Sequence, residues 1–517
     1  MISYLLQAPP KSTTPLYVVG IYLILLLAFS IINSRRPRGS AGEYFVASRS
    51  IGPFLLLMSV FGTTMTAFAL VGSTGKAYDD GIGVYGLMAS ASGIVHSLVF
   101  FLIGIKLWAI GKRYNYVTQI QFFRNRFDSN ALGYLLFPVL VGLVIPYLLI
   151  GILGAGSVLK GVSGVPTWIT GAVICCVVLA YILTGGVRAA ALANAVQTMV
   201  FMAVGLLAFL LISGSLGGTE AATQKVIENA PQLLAREGEI GHLQFLSYCF
   251  VPLSVGMFPH LFQHWLTARS AKTFRMTVIA HPIFIMIVWV PCVLIGVWAA
   301  GAGVEAPGGN SNAVLAKMVG MQLKNPWVSG LLMAGILAAI MSSLDSQFVC
   351  LGTMFTHDIV VHAMGEERVS EEARVRLGRL FIIAIVALTY LLSLFPPPNI
   401  FDLAVWCFSG FASLFPLVVA AVYWRRTTRA GAIASVIVAG VTWCALFYDG
   451  LIAPALAGER LEGDYLIWGM MPVAFMVAAA AITLVVVSLA TKPLPRSTVD
   501  RYFGVGQLTT PPESSHP

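Results

Sequence analysis

Apolar residues run in blocks of about twenty along this chain, from Leu16 to Ala490, with no long polar stretch between them. One helix needs roughly twenty such residues to cross a hydrocarbon layer about 30 Å thick. That ruler predicts thirteen spans, near 15–33, 52–75, 83–111, 131–155, 165–184, 192–214, 244–267, 276–300, 327–357, 376–396, 400–424, 428–450 and 465–490. The least sharp cuts fall around Gly81 and Pro397. The expectation is one all-α integral membrane domain over 1–490 and a cytoplasmic tail, 491–517, which ends TTPPESSHP and has the composition of a disordered segment.

Composition agrees with the pattern: 58% of residues are hydrophobic and 10% charged, against roughly 25% charged in a soluble domain. The basic residues test the span count independently, because one missed span would scramble the bias of Lys and Arg toward inside loops. With the N-terminus outside and the C-terminus inside, 22 of the 31 Lys and Arg residues fall on inside segments. The net charge of +9 is scattered among loops and forms no basic stripe with interleaved aromatics, so the expected partner is a lipid bilayer and not nucleic acid. All seven cysteines lie inside apolar runs without metal spacing and read as small buried hydrophobes. Met1–Pro15 has no basic region ahead of the first apolar run, so that run reads as a retained span and not a cleaved signal.

Two spans are interrupted. The second places Gly62 and three threonines, Thr63, Thr64 and Thr66, halfway through an apolar run, and the seventh sets Gly256 and Pro259 three apart. Proline removes a helical hydrogen bond, and freed carbonyls at mid-membrane are where transporters bind cations. Breaks five spans apart predict an inverted repeat of spans 2–6 and 7–11, about 52–214 and 244–424. The ninth span supplies oxygen chemistry at the same depth: Ser342, Ser343 and the Ala339 carbonyl a turn below suit an alkali cation. Serines bonded to their own helix are the plainer reading. Asp345, three residues past Ser342, weighs against it, since a carboxylate inside the membrane costs at least about 3 kcal/mol.

These residues resemble the sodium:solute symporter family, which includes sugar, proline, pantothenate, acetate and iodide carriers. The likeness covers about residues 15–490. It rests on Glu43–Ser50 before the second span, Thr184-Gly185-Gly186-Val187-Arg188-Ala189, Ala193-Asn194-Ala195-Val196-Gln197, and the ninth-span segment through Thr356-His357-Asp358. The resemblance implies a five-plus-five inverted-repeat fold with broken helices 2 and 7, working by alternating access. It also implies a sodium between spans 2 and 9, held by carbonyls of Gly62, Met65 and Ala339 and hydroxyls of Ser342 and Ser343. Many members carry an aspartate where this chain has Asn194, so a second cation, or a proton, is expected to fall to Asp345 with Ser346 and Asn194. No organic cofactor is implied.

The substrate is expected beside the break, against spans 2, 3, 7 and 11. Leu87–Ala91 is mostly apolar, which disfavours a sugar, and Pro259-His260 is similar to carriers of small carboxylates. The candidates for the substrate wall are Thr66, Ala69, Met88, Phe258, His260, Trp406 and Ser409, with Phe68 and Phe408 beside them. A half-helix starting at Pro259 would favour an anionic group. The function expected is sodium-coupled symport of a small carboxylate or amino acid. The rivals are proton coupling through Asp345, a membrane enzyme using His96, Asp345 or His260, and a channel. The chain lacks a nucleophile elbow, a phosphate loop and repeated filter segments, which weighs against the last two.

Overall fold

The computed structural model describes residues 13–34, 49–235, 240–322, 325–395, 399–458 and 464–503. Among the described residues the regular structure is helical, apart from two isolated bridges, Ile51 with Ala268 and Ile467 with Met470. The main helices, in chain order, are α1 (Thr14–Ser34), α2 (Pro53–Thr64), α3 (Phe68–Asp80), α4 (Gly83–Arg113), α5 (Asn130–Ser163), α6 (Thr167–Ser215), α7 (His242–Gly256), α8 (Pro259–Leu266), α9 (Ala271–Gly301), α10 (Pro326–Met364), α11 (Glu371–Leu392), α12 (Ile400–Tyr423), α13 (Arg429–Ala457), α14 (Pro472–Ala490) and α15 (Arg496–Phe503).

Nine helices among the described residues are long and apolar enough to cross a membrane, or up to eleven if each of two bent pairs is one span. The bent pairs are α2 with α3, at 60°, and α7 with α8, at 49°. Shorter apolar stretches, Thr14–Phe29 and Thr167–Ala180, lie where the first and fifth spans are expected.

Several expectations need correction. The loop expected between the fifth and sixth spans is helical backbone, since α6 runs unbroken through Gly185 and Gly186. Two glycines cost a helix only about 1 kcal/mol each, and the good helix formers that follow, Ala189–Ala193, carry it on. The seventh span is not a simple α-helix before its proline, because Val251–Gly256 tightens into a 3-10 helix. Cys176 and Cys444 are exposed on the bundle surface, since helices facing lipid need no polar outer side. Of the supposedly unstructured tail, Arg496–Phe503 is ordered helix, while 504–517 lie outside the described residues. The cut near Pro397 and the motif residues 43–48 also lie outside them.

Burial ranks the helices. In α10 and α12, 83% of the apolar window is inside the protein, against 28% in α11 and α13, so the first two form the centre and the others face lipid. α10 packs against α6, α1, α5 and α2. The cut at Gly81 is steric: its φ is +83°, and a Cβ there would strike the backbone of Leu233.

Buried charges gather at the two ends of the bundle. At one end Lys76, 6% exposed, pairs with Asp80 and Asp464 at 2.9 Å each and with Asp402 at 3.7 Å. Gln244 donates to the second oxygen of Asp464 at 2.6 Å. One amine thus ties together the ends of α3, α7 and α12 and the chain before α14. At the other end α15 docks on the short helix Gln119–Arg126, with the Tyr502 and Tyr116 hydroxyls 2.6 Å apart and Asp500 paired to Arg425. The buried Arg126 donates to the Ala421 carbonyl at 2.8 Å and stacks on Phe127, Tyr502 and Phe503. Burial pulls its guanidinium pKa down to about 10.

Removing one side of a buried ionic cluster costs about 3–5 kcal/mol, and somewhat less here because Asp402 keeps access to water. Lys76→Met should therefore lower the melting temperature of the detergent-purified protein by several degrees, and Lys76→Arg should largely preserve it. An unchanged melting temperature in Lys76→Met would show that the cluster adds no stability.

Candidate functional site

The site begins where α2 ends. Met65 leaves the helix with ψ of 102°, its N–H still bonded to the Phe61 carbonyl at 3.0 Å. The threonines expected at the break take over backbone roles: Thr64 Oγ1 donates to the Phe61 carbonyl at 2.8 Å, and Thr66 Oγ1 accepts from the Phe68 N–H at 3.1 Å. Side chains satisfy the groups that the lost helical turn cannot, as hydrocarbon requires. Gly62 lets α2 approach α6 closely, since a Cβ there would overlap the Thr198 hydroxyl.

Ser342 of α10 lies across from that end. Its Oγ reaches the Gly62 carbonyl at 2.7 Å and the Ala339 carbonyl at 2.8 Å. Three of the five oxygens expected around sodium are therefore brought together through the Ser342 hydroxyl, contributed by two helices far apart in sequence. A serine hydroxyl has one proton to share between those carbonyls. A cation in its place would be met by the two carbonyls and by the hydroxyl lone pairs once the hydroxyl rotates. Ser343 is also buried, but its Oγ accepts from Gln347 Nε2 at 2.8 Å, and Met65 sits at the break itself.

The residues expected at a second cation divide. Asn194 Nδ2 donates to Ser346 Oγ at 2.6 Å, Ser346 Oγ lies 2.9 Å from His264 Nε2, and His264 Nδ1 lies 2.8 Å from Ser59 Oγ. This chain of hydrogen bonds links α6, α10, α8 and α2. Asp345, fully buried, is on another face of α10, within electrostatic range of Tyr22 of α1, which sits beside Gln197. Sequence reasoning passed over His264, although its spacing of four from His260 puts the two one helical turn apart. Among the described residues no three His, Cys, Asp or Glu side chains converge as metal ligands.

Beside the break is a small cavity of about 30 Å³. Its wall includes Met65 and Phe68, His96 of α4, Tyr147 of α5, Phe258 before α8, and Phe408 of α12. Phe258 was expected there, as were Phe68 and Phe408. The other candidates are buried but off this wall. His260 lies behind Phe258, stacked on it with centroids 5.2 Å apart, and its ring nitrogens have no hydrogen-bond partner among the described residues. Trp406 and Ser409 instead line a separate cavity with Asp402 and Asp464, because two residues turn a helix by about 200° and carry Trp406 away from Phe408. Thr66 is occupied in the break, and Ala69 and Met88 are packed in the core. The contributions of Tyr147 and Trp289 were missed, each being a single polar atom in an apolar run, and His96 had been named only as a possible acid or base of a membrane enzyme and not as part of this wall.

A helical bundle with two bent pairs meeting at a buried cavity has the architecture of a multi-pass membrane transporter. The solved structure of a Na+-coupled sialic acid symporter, in its substrate-bound outward-open state, shares this fold with TM-score 0.71 over 93% of this chain and 98% of that one, at 16% identity. A nucleobase-cation-symport-1 family transporter in a closed conformation matches with TM-score 0.56 over 89% and 98%, at 12% identity. The chain belongs to the sodium:solute symporter family, whose profile matches residues 44–439. The sodium/pantothenate symporter of Escherichia coli is 26% identical over 82% of this chain and 89% of its own. The osmoregulated proline transporter OpuE of Bacillus subtilis is 24% identical over 94% and 96%, and the sodium/proline symporter of Staphylococcus aureus is 23% identical over 92% and 93%. The protein is thus a transporter and not an enzyme.

Proposed function

We propose that this chain is a sodium-coupled symporter of a small carboxylate or amino acid, working by alternating access across the cell membrane. The observation that carries the reading is the Ser342 hydroxyl seated between the Gly62 and Ala339 carbonyls, where α2 breaks. Met65 and Ser343 complete the sodium ligands. The ion exchanges with the hydroxyl's bridging position, so its arrival reorganises the break that also forms the cavity wall. Asp345, Ser346 and Asn194 serve a second cation. A reading in which Asp345 carries a proton instead has the full burial of its carboxylate in its favour.

The substrate class rests on two supports. The relatives named for pantothenate and for proline move molecules that both bear a carboxylate. Phe258, on the cavity wall, immediately precedes the N-terminus of α8, whose dipole favours an anion. The chain has thirteen spans, N-terminus outside and C-terminus inside, with repeats over about 52–214 and 244–424 and a cytoplasmic tail from 491.

In proteoliposomes, labelled proline, pantothenate or acetate should accumulate under an inward sodium gradient and not under an equal potassium gradient. Ser342→Ala combined with Ser343→Ala should raise the sodium concentration for half-maximal uptake about a hundredfold, roughly tenfold for each lost ligand, the size of one hydrogen bond to a charged species. Unchanged sodium activation would remove both residues from the site. Asp345→Asn should abolish concentrative uptake while exchange at equal concentrations partly survives, and normal concentrative uptake across pH would make Asp345 structural. For topology, cysteines placed at the exposed Glu228 and Glu367 in a background without the seven native cysteines should react differently with an impermeant thiol reagent. Glu228→Cys should label in intact cells and Glu367→Cys only after permeabilisation, and the opposite pattern would invert the orientation.

A further inference from the structure

We infer that His96 and Trp289 form the end of the cavity that receives the substrate's carboxylate, with His281 as the positioning residue for His96. The inference rests on the reading of the chain as a carrier of small acids, and it names the side chains that would make it prefer an acid to the matching amide or alcohol.

Four observations support it. Among the described residues the cavity wall contains no Asp, Glu, Lys or Arg, so none of them places a fixed side-chain charge against an anion there. Trp289 of α9 lies on that wall, 4% exposed, and its indole N–H has no hydrogen-bond acceptor among the described residues. Indole nitrogen can only donate, and leaving a buried donor without an acceptor is costly, so this N–H is available to an acceptor oxygen. His96 of α4 is on the same wall, 8% exposed, with its Nδ1 3.1 Å from His281 Nε2. His281 is eight residues before Trp289 on α9, two turns away along one side of the helix.

The imidazole pair has two neutral arrangements. If His96 Nδ1 holds the shared proton, His281 must carry an N–H on Nδ1, where no partner is found among the described residues. If His281 Nε2 holds it, His281 Nδ1 is a bare acceptor and His96 keeps its proton on Nε2. Buried N–H groups are left unpaired less readily than buried acceptors. The second arrangement is therefore favoured, and it leaves His96 with a donor that His281 does not consume. Two neutral donors, one from α4 and one from α9, then converge on the same small space. They supply direction but no charge. The charge is supplied by the sodium at the break, since Met65 borders both the ion site and the cavity. An acid and its sodium can enter a dry site as a neutral pair, whereas an amide gains nothing from the ion and offers a weaker acceptor to both donors.

The test uses the full-length protein in proteoliposomes with three pairs of probes: proline and prolinamide, pantothenate and panthenol, acetate and acetamide. Sodium-driven uptake of whichever labelled acid the wild type carries is competed with the unlabelled acid and its neutral partner. Wild type should prefer the acid by about tenfold or more, the size of one hydrogen bond to a charged group. Trp289→Phe, which keeps the ring bulk, and His96→Ala should each reduce that preference about tenfold by raising the apparent KM for the acid. The sodium concentration for half-maximal uptake should stay unchanged in both. His96→Gln, which retains a donor, should recover part of the preference, and His281→Ala should weaken it. Should His96→Ala fail to fold, Trp289→Phe and His96→Gln decide the matter. If wild type carries an acid and Trp289→Phe keeps the full preference, this assignment is overturned while the symporter reading stands. If wild type carries none of the acids in sodium, the symporter reading falls and takes the assignment with it.

Discussion

A single serine hydroxyl, Ser342 Oγ, crosses from α10 to the Gly62 carbonyl of α2. That contact matters because hydrocarbon offers no water to an exposed peptide group, so a span can leave the helix only where another element satisfies what it frees. The break after Thr64 meets this constraint with the Thr64 and Thr66 side chains and with Ser342. Everything else at the centre follows from it. α10 must be buried on nearly all sides to bring Ser342 there, α6 must come close enough that only glycine fits at position 62, and the bend of 60° opens the cavity beside the break.

The polar groups of the bundle are disposed according to what water can reach. Full charges sit at the ends: Lys76 among its carboxylates at one, Arg126 beneath Tyr502 and Phe503 at the other. Near the middle the groups are mostly neutral and joined in series, as in Asn194, Ser346, His264 and Ser59. A series of neutral hydrogen bonds satisfies its members without desolvating a charge, which is the costly part of burying an ion pair. Asp345 departs from this order, being a carboxylate with no exposed surface at mid-bundle depth. It lies within electrostatic range of Tyr22, and so α1 contributes a polar group toward the interior as well as apolar surface.

What could be read from the sequence was local. Gly62 with its threonines, and Pro259 with Gly256, announce interruptions through a few adjacent residues, and Ser342 announces a polar face by standing in an apolar run. What could not be read was rotational phase. An amphipathic helix reveals its inner face through its pattern, but α12 is buried nearly all round and has no polar side to read. Trp406 and Ser409 were therefore as plausible on the cavity as Phe408, although only the last lies there. The same lack of pattern hid Tyr147 and Trp289, and the place of His96 on the wall, since these roles depend on three helices meeting. The tail failed for the converse reason: its polar composition reads as disorder, yet Tyr502 and Phe503 find aromatic and guanidinium partners that only the folded bundle presents.

The cavity's size bears on how such a bundle must move. A volume of about 30 Å³ holds a water molecule or two, well short of the several hundred Å³ usual for a small-molecule site, so the conformation seen is closed around its centre. Opening has to separate helices at one end or the other, and the two ends resist differently. At the Lys76 end the bonds to be broken are ionic and close to solvent, and water can replace each partner as the gap widens. On the side of α8 the bonds run through His264 and Ser346 in a fully buried core, where no water is at hand to replace them. There, α2, α6, α8 and α10 must either shift together as one body or leave buried donors unpaired, and the energetic penalty of unpaired donors favours the rigid shift. On the Lys76 side the ionic ties of α3 and α7 to α12 and to Asp464 can be exchanged for water one at a time, while the buried Thr74 hydroxyl bond to the Cys292 carbonyl keeps α3 on α9.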